Sequence, residues 1–412
     1  MFAVIKALIY SAIVFGLLIF SYKKRDSQKL FHVIMVLCWL IIAMSMDSYD
    51  IYNYRSAYNG GVLRGKEPLF DLLQWAFYSM GVPFAVFKLL YGTTVWFLLY
   101  RGLKNYTVEL ALAAALFVLG PMIGYGTQMR SSMAGAIILN ALPLLLKKDT
   151  KVWKYCALVA FASLFHLMAV FYFVFLIPKY WRISAKKFRN YMCLLAVAMI
   201  PFFLLLTQPI SKLLAAMQTW TNISAVNSAL ARFAQYFSGE MGPNVKGFLF
   251  AAGGHLVAFI LTDRMCVAMQ SLRTKRLNIA KKDLFLSSYA VSYLRKLNSI
   301  LILIIPCYIL SMQFDRFNGY YLPVCYCLIV QGAREVRLSG LAQKIELPAA
   351  KNSRINRLFQ WINRNDLLQT GNFEILVLVA CLTFCFFVNN RFAVTSEFVR
   401  IVNGIGMFGG PI

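Results

Sequence analysis

The 412-residue chain predicts an all-α, polytopic integral membrane fold, with about ten to twelve transmembrane helices in one domain, 1–412. Composition is the first reason: 60% of residues are hydrophobic and 14% charged, against roughly 25% charged in soluble domains. Length is the second. Apolar runs of about 17–23 residues recur, enough to cross a hydrocarbon core of roughly 30 Å. A soluble helical protein would interrupt each run with a polar stripe at period 3.6, and 3–20 and 373–388 carry none. Charge placement is the third. The net charge of +26 comes from 42 basic residues against 16 acids, and the basic residues fall in short blocks between apolar runs. Such blocks set topology and are not the footprint of nucleic acid. The implied surroundings are membrane lipids, with no nucleic-acid partner.

The positive-inside rule threads the chain. The run at 3–20 follows only Lys6 and lacks a small-residue cleavage site, so it reads as a retained helix rather than a signal peptide. It meets Lys23, Lys24, Arg25 and Lys29, a cytoplasmic block. Span 31–46 returns outward into an outer-face loop, 47–82, with Asp47, Asp50, Glu67 and Asp71. Spans near 83–100, 108–123 and 131–146 place Arg101 and Lys104 inside, Arg130 at the outer face and Lys147, Lys148, Lys151 and Lys154 inside. The run 155–177 then raises a conflict. A single crossing would put Lys179, Arg182, Lys186, Lys187 and Arg189 outside. The escape is a broken, re-entrant helix pair near His166, a geometry tolerated where exposed backbone lines a polar cavity.

With that choice the remainder is consistent. Span 191–206 goes out to a large outer-face loop, 207–244, and span 245–262 comes in. A basic loop, 263–283, follows; 284–296 is expected along the inner interface, and 297–313 goes out. Span 318–333 returns to a basic cytoplasmic loop, 334–372, and a last span lies near 373–389. The nine cysteines sit in or beside apolar runs without CxxC spacing, which predicts buried thiols rather than disulfides.

The outer face gathers polar residues that topology alone does not require. After the second span come Asp50, Asn53, Tyr54 and Tyr58: tyrosines able to pack on sugar rings and acids able to bind hydroxyls, or else an interfacial aromatic belt. Arg130 opens a helix at Gly126–Ser132. A helix N-terminus plus a guanidinium is an anion site; the alternative is a cap with a snorkelling arginine. His166 lies mid-run, where ionisable groups are costly and mark function, unless it only hydrogen-bonds a helix carbonyl. Asp315, Arg316 and Tyr320 sit at a late helix start, and Arg232 and Tyr236 share i, i+4 spacing in the large outer loop. His32 and His255 lie nearer span ends and read as structural. Walker A, GxGxxG and HExxH patterns are absent. Two carboxylates at Asp47 and Asp50 are too few for a metal site, so no metal and no cofactor is expected.

Taken in order, these elements resemble the EpsG family, which includes Wzy-type O-antigen and exopolysaccharide polymerases. Asp50-Ile-Tyr-Asn53-Tyr54-Arg-Ser-Ala-Tyr58 is similar to its Asp-x-x-Asn-Tyr-x-x-x-Tyr element, and Glu67-Pro68 to its Glu-Pro element. Arg130-Ser131-Ser132-Met133-Ala134 is similar to its Arg-Gln-x-x-Ala helix start, with Ser131 in place of glutamine. Ala162-Ser163-Leu164-Phe165-His166 resembles its Ala-Ser-x-x-His element. Arg316 followed by Tyr320-Tyr321 resembles its Arg-x-x-x-Tyr-Phe element.

The resemblance implies a glycosyltransferase of the bacterial inner membrane that joins undecaprenyl-diphosphate-linked oligosaccharide repeat units at the periplasmic face. A chain-length regulator protein is a further candidate partner. Asp50, with His166 and Asp315 behind it, would serve as catalytic base. Arg130, Arg232 and Arg316 would hold the diphosphate, and Tyr54, Tyr58, Glu67, Tyr236 and Tyr320 the glycan. The competing class is a flippase or transporter of the same lipid-linked oligosaccharides, which shares a basic cavity and a broken helix but ordinarily shows an inverted repeat. A membrane acyltransferase or ligase is a third reading, kept by His166.

Overall fold

The computed structural model describes residues 2–62, 67–149, 151–218, 245–274, 284–311, 314–339, 369 and 371–389, with the isolated positions 227, 230, 231 and 234. These residues form helices and no β-sheet. Helix α1 covers Phe2–Lys23 and α2 covers Gln28–Trp39, where the Ser27 hydroxyl accepts from the Leu30 amide and caps the first turn. A π-helical segment, Leu40–Met44, ends α2, and the chain turns by 48° into α3, Tyr49–Asn59. Pro68 opens α4, Pro68–Ser79, and α5 is Phe84–Leu103. Helices α6 (Leu110–Leu119), α7 (Met122–Thr127) and α8 (Met129–Ala141) follow. A 3-10 segment with Pro143 at its start, Leu142–Leu146, prolongs α8. Beyond α9 (Val152–Phe165) lie a 3-10 helix, Leu167–Leu176, and α10, Ile177–Tyr180. The second half comprises α11 (Ala185–Gln218), α12 (Val245–Thr274), α13 (Ser288–Leu301), α14 (Ile304–Cys307), α15 (Asp315–Leu338) and α16 (Asn372–Asn389).

Among the described residues, four segments are long and apolar enough to cross a membrane: Met129–Leu146, Ala185–Leu205, Ala252–Thr274 and Ser288–Cys307. The bent pair of α2 and α3 makes a fifth, and five further apolar helices are shorter. The molecule is therefore an all-α polytopic membrane protein. Its centre is built on α6, buried at all ten positions, and α15, buried along most of its length. Helix α6 has no polar face, because neighbours surround it. Small residues permit that closeness. At Gly92 on α5 a Cβ would lie 2.6 Å from the Ala43 Cα, so α5 meets the π-segment backbone to backbone.

The run through His166 folds back on itself. His166 ends α9 in extended backbone, φ −154° and ψ 116°. The Tyr155 hydroxyl then donates to the Tyr172 carbonyl at 2.7 Å. In a straight helix residues 17 apart stand about 25 Å apart, so the two halves pack side by side as the sequence conflict required. The Tyr293 hydroxyl donates to the Phe175 carbonyl at 2.6 Å, and the Tyr172 hydroxyl to the Phe317 carbonyl. These bonds tie the returning arm to α13 and α15.

Other expectations change. Segment 284–296 does not lie along an interface, because α13 begins at Ser288 and is buried from Ala290 onward. Its Arg295 bonds inward, as does Asn298 just beyond it. Arg295 pairs with Asp263 at 2.6 Å, and Asn298 donates to the Phe259 carbonyl at 2.9 Å. In the 207–244 region α11 stays helical to Gln218; Arg232 and Tyr236 lie outside the described residues. The 47–82 region is a pair of helices, α3 and α4, rather than open loop. The cysteines of the described residues are free thiols, most of them buried.

The end of the bundle remote from α3 and α4 is knitted by charge. Arg25, after α1, donates to the Asn372 side chain at 3.1 Å, and Arg337, at the end of α15, reaches the same amide. Arg337 also pairs with Glu109, which precedes α6. Four helix ends far apart in sequence thus meet on one side.

Candidate active site at one end of the bundle

At the opposite end three chain breaks bring polar side chains together: the bend before α3, the start of α8 and the reversal at His166. Pro68 at the first helical position fixes where α4 begins. Glu67 occupies the cap position without capping through its side chain, and its carboxylate instead pairs with Arg130. Arg130 stands in the first turn of α8, set by Ser132, whose hydroxyl donates to the Gln128 and Tyr125 carbonyls at 2.8 and 2.9 Å. Its Nε donates to the Tyr54 hydroxyl at 3.2 Å, and its guanidinium lies 5.4 Å from the Tyr54 ring. Asp50, one turn earlier on α3, is close enough for its charge to act on Tyr54.

Arg316 arrives from the first turn of α15. Its Nη1 stands 3.2 Å from His166 Nε2, and the positive charges of Arg316 and Arg130 both bear on His166. The charges of Arg316 and Glu67 likewise bear on Tyr320. Ser131 donates to the Tyr320 hydroxyl at 3.0 Å. The serine at this position therefore ties α8 to α15. Gly135 makes room for that contact, since a Cβ there would lie 2.8 Å from the Tyr320 ring. Asp50, Tyr54, Glu67, Arg130, His166, Arg316 and Tyr320, spread over most of the chain, thus share one site.

Two of the sequence candidates go elsewhere. The Tyr58 hydroxyl donates to the Val82 carbonyl at 2.6 Å, and its ring packs among Tyr78, Phe84 and Phe87. That side chain fastens α3 to the turn before α5. Asp315 adjoins Arg316 in sequence but contacts His255 Nε2 at 3.2 Å. His255 Nδ1 meets the Tyr308 hydroxyl at 2.6 Å, and Asn318 donates to that hydroxyl at 2.6 Å. This Asn318–Tyr308–His255–Asp315 chain is not legible in the sequence, because His255 and Tyr308 stand 53 positions apart. Among the described residues no three His, Cys, Asp or Glu side chains gather as a metal site.

Below the polar cluster an apolar groove of about 820 Å³ runs between α4, α5, α8 and α9. It follows one stripe of α8 from Met133 through Ile137 to Lys147 and ends at Arg101. Tyr91 and Phe165, in edge-on contact, lie at its upper wall just under Arg130 and His166.

Residues 29–334 match the family model described as the EpsG family. The chain belongs to the EpsG family. No curated protein and no solved structure matches it. The matched region holds the whole polar cluster and stops before the basic stretch beyond α15. EpsG-family membership makes the protein a membrane component of polysaccharide biosynthesis, and it locates the family pattern in the part of the bundle that builds the site.

Proposed function

We propose that this EpsG-family protein is a glycosyltransferase, a polymerase that joins oligosaccharide repeat units carried on undecaprenyl diphosphate, of the O-antigen or exopolysaccharide type. One observation carries the reading. Two arginines 186 positions apart, Arg130 and Arg316, converge on one buried histidine, and of these two it is Arg130 that pairs with a carboxylate, Glu67. A pair of guanidinium groups at the end of a membrane bundle suits an anionic substrate group. Phenols and carboxylates from Tyr54, Tyr320, Glu67 and Asp50 suit sugar hydroxyls, and the groove along α8 suits a polyprenyl tail.

Lipid diphosphate is already a good leaving group, so the anomeric carbon needs no strong acid. An acceptor hydroxyl oxygen bonds to that carbon as the carbon–phosphate oxygen bond breaks. The hydroxyl proton passes to Asp50, and lipid diphosphate departs with the negative charge. Arg130 and Arg316 stabilise that charge in a site shielded from bulk water. Direct displacement inverts the anomeric centre. Arg232 and Tyr236 remain candidates for the same site from the large loop, and the charge rule supports an active face in the periplasm.

The test is the length distribution of surface polysaccharide in cells lacking the gene, complemented with wild type or Arg130→Ala. Single repeat units without the protein, and long chains restored only by wild type, are expected. Loss of all repeat units from the surface would instead mean export, and a flippase.

A further inference from the structure

His166 is wired by its surroundings as a hydrogen-bond donor. At the start of the 3-10 helix, the Met168 amide donates to His166 Nδ1 at 3.2 Å. A first-turn amide has no intrahelical acceptor, and a backbone group cannot turn away to find another. Nδ1 must therefore present its lone pair. A neutral imidazole has one donor nitrogen and one acceptor nitrogen, so Nε2 carries the hydrogen.

Nε2 nevertheless faces Arg316 Nη1 at 3.2 Å, and a guanidinium has donors only. Two N–H groups point at the same space, and the partner lacking between them is an acceptor. The reverse tautomer would set an N–H against the Met168 amide and leave a buried backbone donor unpaired. That is the costlier defect, because half-buried Arg316 can rotate whereas the amide cannot. His166 as a whole is about 5% exposed, so water does not freely relieve the conflict. Asp315 does not relieve it either, being turned toward His255.

We propose that His166 Nε2–H and Arg316 form a donor pair for one anionic oxygen, a phosphate oxygen of the lipid diphosphate. The inference rests on the polymerase reading and assigns His166 within it. His166 holds the leaving group and is not the base. Its hydrogen bond strengthens as the carbon–oxygen bond breaks and charge collects on the diphosphate. No proton is transferred to or from the ring, and the acceptor proton goes to a carboxylate.

The full-length protein, labelled with ¹⁵N-histidine, tests the tautomer directly, since the chain has three histidines. Spectra of His166→Gln assign the His166 ring by subtraction. Nδ1 is expected unprotonated and Nε2 protonated, and undecaprenyl diphosphate without glycan is expected to shift the Nε2–H resonance. A protonated Nδ1 overturns the proposal. Affinity for the same probe supplies the second readout. His166→Asn keeps an acceptor for the Met168 amide, and so the fold, but its amide does not reach the anion; it is expected to bind about tenfold or more weakly. His166→Gln places an N–H near the Nε2 position and is expected to rescue most of that loss. If wild type binds the probe and His166→Asn binds equally well, the donor pair is wrong while the polymerase reading stands. If wild type binds no lipid diphosphate, both fall.

Discussion

Glu67 and Arg130 illustrate how a site residue can be held before substrate arrives. Their side chains are about 9% and 16% exposed, so the ion pair lies in partly desolvated surroundings, with Tyr54 taking a further guanidinium N–H. Removing one partner of a buried pair leaves the other charge uncompensated, at about 3 kcal/mol. Glu67→Gln is therefore expected to lower the melting temperature of the purified protein. Arg130→Met combined with it should cost less than the sum of the two single changes, because the double variant strands no charge. Additive losses would show that the pair is not coupled. The types of these residues were legible in the sequence, whereas their pairing across 63 positions was not. Asp315 shows why adjacency misleads. Consecutive helical side chains point about 100° apart, so Asp315 joins His255 while Arg316 joins His166.

At the scale of elements, the site depends on where helices stop. The π-segment Leu40–Met44 ends the first arm just before the 48° turn into α3, and π-helical turns of this kind cluster at functional sites. Two features of α5 lock the bend. The buried Lys88 Nζ donates to the Ile42 carbonyl at 2.9 Å, and Gly92 lets the backbones touch. Gly92→Ala would place its Cβ 2.6 Å from the Ala43 Cα and 2.8 Å from the Ile42 oxygen, both backbone atoms that no rotamer change can move. Overpacking of this kind costs about 1–3 kcal/mol, and the upper end is expected, read as a lower melting temperature together with weaker probe binding as Tyr54 shifts. An unchanged melting temperature would show that α5 and the π-segment separate freely. Apolar run length located most of these helices, since burial in lipid and burial in protein demand the same residue types. It misread α13 for a related reason. Segment 284–296 is expected at the inner interface from sequence, yet its Arg295 is satisfied inside the bundle by Asp263, as is Asn298 just beyond it by the Phe259 carbonyl.

For the whole molecule, the reversal at His166 decides whether a site exists at all. Arg316 reaches His166 only because the chain turns there and packs its second arm against α13 and α15. A single crossing would carry Met168 and Tyr172 away from α9, break the Tyr155–Tyr172 bond and put five basic residues on the wrong side. The reversal also agrees with the network that draws Arg25, Glu109, Arg337 and Asn372 to the remote end, since both give the basic blocks a common side. Cysteines introduced at Lys151 and Lys186, exposed positions before α9 and in the first turn of α11, are therefore expected to react with a membrane-impermeant maleimide from the same side. A cysteine at Asn59, the exposed end of α3, is expected to react only from the other. Reaction of the Lys186 position together with Asn59 would mean that the run crosses once. His166 would then lie within a continuous span, and the convergence of Arg130, Arg316 and His166 would have to be abandoned along with the function built on it.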